Sequence, residues 1–172
     1  MDNIAEQLVS RTKDKTDYLK MAGITVGAVL LATVMMYFSM VTGFFTLVIP
    51  AVLVLFGGVM LMGNMNVEYE YILTNNELDI DKIIGKSKRK RMITLDISQA
   101  EAFAEYPAEE DVSADATVHA SSGLEQDAYY LVVNHNSYGR VNLIFNPNEK
   151  MREAIAKELP NKLRATLRKY GK

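Results

Sequence analysis

From Met21 to Val67 the chain contains no Asp, Glu, Lys or Arg, although 19 basic and 21 acidic residues are spread over the rest of its 172 positions. A soluble domain has no use for an uncharged run of that length. At about 1.5 Å of helix per residue, it is enough for two crossings of a roughly 30 Å hydrocarbon core. Met21 to Phe38 and Phe44 to Met62 are the expected spans, with Ser39, Met40, Val41, Thr42 and Gly43 as the loop between them. One long buried helix is the poorer alternative, because Gly43 and Pro50 interrupt the run and no capping residue supports it. The chain therefore divides into an N-terminal segment (1–20), a two-helix transmembrane hairpin (21–62) and a domain at 66–172.

The polar residues 1–20 do not have the order of a cleaved signal peptide. Arg11, Lys13, Lys15 and Lys20 precede the first span, Lys82 and the stretch from Lys86 to Arg91 follow the second, and the loop carries no charge. By the positive-inside rule both termini are expected in the cytoplasm, in a multi-pass protein of the cell membrane. Tyr37, Phe38, Phe44 and Phe45 are placed for an aromatic girdle at the outer interface. Gly23 and Gly27 have the spacing that lets helix backbones approach in lipid, and Gly57 and Gly58 offer a matching surface. Packing within the hairpin is the first reading of these glycines, a homo-oligomer contact the second. Pro50, in the expected second turn of its helix, reads as an entry kink. No ionisable residue lies at membrane depth, so the chain has no candidate proton relay.

Beyond the second span the hydrophobic period changes from helix to strand. Val67 to Thr74 and Leu78 to Ile84 alternate around Asn75, Asn76 and Glu77, and Gly85, Lys86 and Ser87 turn the chain into Lys88 to Asp96. Ile97 to Tyr106 is ambiguous between a fourth strand and a short helix started by Ser98 and Glu101; the strand is preferred. Ala116 to Ser121, Tyr129 to Val133 and Val141 to Phe145 complete about seven strands. Asn146, Pro147 and Glu149 then fit N-cap, N1 and N3 of a helix whose Met151, Ile155 and Leu159 share one face. Pro160 breaks it, and no acidic residue follows Glu158.

This order predicts an α+β chain in which a bent sheet or barrel of the pleckstrin-homology (PH) kind is closed by a C-terminal helix. The two-span hairpin, the stretch EYEYILTNNELDIDKIIGKSKRKRMITLDI (Glu68 to Ile97) and the closing FNPNEKMREAI (Phe145 to Ile155) resemble a family of small bacterial two-span membrane proteins with a cytoplasmic PH-like domain, whose function is not established. The resemblance implies a fold and a place at the membrane, and it brings no chemistry.

The residues bring none either. Without cysteine there is no disulfide, thiol nucleophile or iron-sulfur site. His119 and His135 lack partners at metal-ligand spacing, and Asp79 and Asp81, two apart beside Lys82, read as a solvated strand face. Gly85, Lys86 and Ser87 match only the tail of a phosphate loop. No enzyme, cofactor or metal is expected. Lys86, Lys88, Arg89, Lys90 and Arg91 read first as a charged strand edge and second as a contact for anionic lipid headgroups, each basic residue near such a surface contributing roughly 1 kcal/mol. Lys162, Arg164, Arg168 and Lys169 form a second basic segment. Nucleic acid is not an expected partner, since no aromatic platform interleaves the charges. The leading expectation is a non-enzymatic, membrane-anchored binding or scaffold module on the cytoplasmic face, with the bilayer and a protein not identifiable from sequence as partners; the alternative is an accessory or regulatory subunit of a larger membrane complex.

Overall fold

The computed structural model describes residues 3–107, 113–123 and 127–164. It separates into two units, one built from Met1–Thr12 and Glu68–Lys172, the other from Lys13–Val67.

In the first unit, a strand from the N-terminal segment, β1 (Ile4–Ser10), pairs antiparallel with β2 (Val67–Thr74). The sheet continues through β3 (Glu77–Ile84) to β4 (Lys88–Asp96), in the order β1-β2-β3-β4. Asn75, in the β2–β3 turn, has φ 55°, the left-handed value such hairpin turns need. A 3₁₀ turn, Ile97–Gln99, then leads into β5 (Ala100–Glu105), which settles the ambiguous stretch as mainly strand. Asp96, not Ser98, caps that turn by accepting from the Ser98 N–H. β6 (Ala116–Ala120), β7 (Tyr129–His135) and β8 (Gly139–Phe145) join β5 in a second sheet of order β5-β7-β8-β6, where β6 runs parallel to β8. Among the described residues there are thus eight strands instead of the expected seven, in two four-stranded sheets that do not close into a barrel.

The buried faces explain the alternation read from the sequence. Tyr71, Leu73, Leu78, Ile80 and Leu95 from the first sheet and Leu131, Val133, Leu143 and Phe145 from the second are all excluded from solvent. The C-terminal helix, running Glu149–Glu158, adds Met151, Ala154 and Ile155 to this core, with Leu159 just beyond it. Its N-cap is Asn148, whose side chain accepts from the Met151 N–H at 2.8 Å. The expectation of Asn146 as cap is corrected. Asn146 instead accepts the Ser122 N–H at 2.7 Å through its side chain and the Gln7 amide at 2.8 Å through its carbonyl.

The second unit holds α1 (Lys15–Thr42), a 3₁₀ turn (Phe45–Leu47) and α2 (Val48–Gly63), so the C-terminal helix is α3. Asp14 and Asp17 form a capping box at the start of α1, and Gly43 ends it with φ 71°. Both helices are long and apolar enough to cross a membrane. Val26, Leu30, Val34 and Phe38 on α1 and Ile49, Val52, Phe56 and Leu61 on α2 are more than half exposed, unlike the helices of a soluble core. Pro50 falls in the first turn of α2, where no backbone hydrogen bond is lost, so it needs no kink.

Candidate functional site

The expected basic site is divided in two by the backbone. In the β3–β4 register, Ile80 faces Ile93 but Asp81 faces Arg91, so Met92 is a bulge residue with no partner. Below the bulge, Ile93 and Leu95 point into the core. Without it, Arg91 would share their face, because side chains two apart on a strand project the same way. The extra residue rephases the strand and turns Arg89 and Arg91 onto the outer face of the sheet.

There the arginines meet carboxylates. The Arg91 guanidinium donates to Asp81 through Nε and lies 2.7 Å from Asp79 through Nη1, while Thr94 donates to Asp79 at 2.5 Å. Arg89 reaches Glu70 at 2.6 Å and Asp81 at 4.0 Å. The hydrogen bond to Asp81, followed by the nearby charge of Asp79 and Asp81, holds the Arg91 pKa above its ordinary value despite the opposing effect of burial. The Asp81 and Glu70 side chains retain only 4% and 9% of their exposure, whereas both arginines remain about half exposed. Asp79 and Asp81 therefore do not form the solvated face read from the sequence, and Asp81 is a buried ion-pair partner. Two of the five basic residues in the run are committed to the protein itself.

The lysines project from the other face. Lys82 stands directly opposite Lys90 in the register, Lys88 lies two residues from Lys90 on the same strand face, and Lys86 sits in the turn. Leu78, Ile80, Ile93 and Leu95 occupy this face further along the strands; near the turn the core runs out and lysine replaces it. None of these four lysines forms an ion pair among the described residues. Like charges directly opposite on a strand pair are destabilising, so this end of the sheet is electrostatically unsatisfied.

Topology fixes which end it is. β1 leaves the sheet at Ser10, which pairs with Glu68 near the start of β2. β3 runs back along β2, so its last residues and the β3–β4 turn return to that end. The four lysines thus sit at the end of the first sheet where β1 ends and β2 begins; in the chain, four residues separate β1 from α1 and three separate α2 from β2.

The profile of one protein family, described as Bacterial PH-like domain (DUF6106), matches residues 1–165. The chain belongs to this family. No curated protein and no solved structure matches. The matched range takes in β1, both apolar helices and every described strand and helix of the PH-like unit as one stretch, in agreement with a first strand that precedes the hairpin.

The remaining expected site residues of this PH-like chain scatter. Arg164, though exposed, donates to the carbonyls of Lys157 and Leu159 and so finishes α3. Lys162 lies on the same short turn after Pro160, whereas Arg168 and Lys169 fall outside the described residues. Asn3 binds the Ala154 carbonyl and the Glu158 carboxylate, each at 2.9 Å, which places the end of α3 beside the start of β1. That is the sheet end opposite the lysines. Of the four glycines, only Gly58 packs within the hairpin: a Cβ there would stand 3.1 Å from the Ala28 Cβ. Gly23, Gly27 and Gly57 meet nothing within 4 Å, and the helix contact is lined instead by Ala28, Ala32, Ala51 and Gly58. His119 is exposed on β6, and His135 stacks at 5.0 Å on Tyr138 while its Nδ1 accepts the Ser137 N–H.

Proposed function

We propose that the chain is a non-enzymatic, membrane-anchored PH-like binding module on the cytoplasmic face of the cell membrane, and that Lys82, Lys86, Lys88 and Lys90 are its contact with anionic headgroups. The observation that carries this reading is the set of four lysines that form no ion pair among the described residues, at the sheet end where β1 ends and β2 begins. Because β1 hydrogen-bonds β2, the segments before α1 and after α2 must share a compartment, as two crossings require. The basic residues flanking the helices favour the cytoplasmic side. Connections of three or four residues, at most about 3.5 Å each, keep even a weak headgroup attraction at high effective concentration.

Amine labelling of the full chain in lipid nanodiscs tests the proposal. In discs with anionic lipid at about 0.05 M salt, Lys86, Lys88 and Lys90 should be modified several-fold more slowly than in neutral discs. The difference should vanish near 0.3 M salt, where the screening length has shortened. Equal rates in both discs at low salt would refute it.

A further inference from the structure

Three of the four lysines that lack an ion pair among the described residues leave the sheet from one small patch. Lys82 and Lys90 stand directly opposite each other across β3 and β4, and Lys88 is the diagonal neighbour of Lys82 on the same face. Directly opposite Cβ atoms lie about 5 Å apart and diagonal ones about 7–8 Å. The backbone beneath them is held in a tight turn. Gly85 and Lys86, both at φ 60°, join the strands, and the Ser87 N–H closes the turn on the Ile84 carbonyl at 3.3 Å. Arg11, which follows β1 at the same end of the sheet, adds to the positive field there: burial raises the Tyr69 pKa, and the Arg11 charge pulls it part of the way back.

We propose, building on the headgroup contact above, that this patch selects phosphate monoesters over phosphate diesters. A monoester carries about −1.5 to −2 charges near pH 7 and has three strong acceptor oxygens. A diester has a single charge and one fewer terminal oxygen to share it. Three ammonium groups rooted this close together, each a compact and rotatable donor, can each meet one oxygen of the monoester. Its extra charge also cancels more of the repulsion between Lys82 and Lys90 than a diester can. The chain divides its cations to suit. The planar forks of Arg89 and Arg91 are spent on the carboxylates of Glu70, Asp79 and Asp81, and the point charges of the lysines are left for an anion from outside.

The test uses the full chain in three sets of lipid nanodiscs at about 0.05 M salt, where screening is weak. One set is neutral, one contains phosphatidic acid as the monoester and one phosphatidylglycerol as the diester, the last two matched in measured zeta potential. Amine labelling at Lys82, Lys88 and Lys90 should slow in both anionic sets, and several-fold more with the monoester. The Lys82→Gln variant relieves repulsion within the sheet and so keeps the fold; in it, Lys88 and Lys90 should label at the same rate in both anionic sets. Equal slowing of the native chain in the two would overturn the selectivity and leave the headgroup contact standing, whereas no slowing in either would remove the contact as well. Soluble glycerol phosphate added to the neutral discs separates the sources: slowing there to the level reached with phosphatidic acid would uphold the monoester preference and assign it to a free ligand.

Discussion

Tyr71 donates its phenolic hydrogen to the carbonyl oxygen of Ala120, a bond that runs from the second strand of one sheet to an edge strand of the other. The Tyr71 ring meets Phe145 edge-on at 5.5 Å, and the Asn146 N–H lies 3.4 Å from the same hydroxyl oxygen. Burial pushes the phenol well above its ordinary ionisation range, with the Asn146 contact acting the other way. One buried oxygen thus ties together strands that share no ladder.

Replacing Tyr71 by Phe keeps the aromatic contact and removes only that bond. The expected cost is about 1–3 kcal/mol, the range for leaving a buried acceptor without its donor. Thermal unfolding of the full chain in detergent, followed by near-ultraviolet circular dichroism, measures it; an unchanged midpoint would mean that water satisfies Ala120.

At the start of α3, Asn148→Ala should cost about 1 kcal/mol through loss of the cap on Met151. Asn146→Ala acts elsewhere, by freeing the Ser122 N–H and loosening the β6–β7 connection. Ile155→Asp should be far more damaging than either, because it places a carboxylate where no solvent reaches. Hydrogen exchange separates the first two: protection at Met151 should drop in the Asn148 variant and persist in the Asn146 variant.

Asp96 gives the sheet an acid-sensitive corner. Burial raises its pKa, but hydrogen bonds from the Ser98 hydroxyl, the Asn76 amide and the Ser98 N–H together outweigh burial and hold it below the ordinary 3.8. A carboxyl depressed in the folded state contributes stability above its unfolded pKa and loses it as pH falls through the folded value. The stability advantage of the native chain over Asp96→Asn should therefore be full at pH 7 and shrink below about pH 4. A constant difference from pH 7 to 3 would contradict this.

Much of the fold was legible because its signals are local. The period-two run from Val67 to Ile84, the turn residues between strands and the uncharged span each announce an element without reference to the rest of the chain. β1 escaped notice because its apolar residues face the wrong way. Ile4 and Leu8 point outward while Ala5 and Gln7 point inward, so its alternation is not that of a strand with one buried apolar face. The candidate site was hidden for a different reason. KSKRKR reads as one basic patch until the bulge at Met92 sorts arginines from lysines, and no composition reveals a bulge.

Within the hairpin, Gly58→Leu should separate the helices, since the added side chain collides with Ala28. Overpacking of this kind costs about 1–3 kcal/mol. Gly27→Leu meets open space and should be neutral or slightly stabilising through better helix propensity. Thermal melts of the two variants in the same detergent compare them directly, and equal losses would show that both faces are packed.

A soluble fragment beginning at residue 66 omits β1 and leaves the edge of β2 bare. It should melt lower and aggregate more readily than one in which residues 1–12 are joined to 68–172 by a short turn, because an exposed strand edge recruits other chains. Size-exclusion chromatography of the two proteins at matched concentration decides the matter.

The pairing of Ser10 with Glu68, partners 58 positions apart, also dictates the order in which the molecule is made. β1 leaves the ribosome first but has nothing to pair with until both apolar helices and the opening of β2 have followed. Closing so long a loop in a flexible chain is entropically unfavourable, and a helical hairpin formed beforehand between the two loop ends lowers that cost. On the proposed membrane anchoring, insertion would be a step on the folding route of the PH-like unit, and a chain that failed to insert would also fail to finish its first sheet.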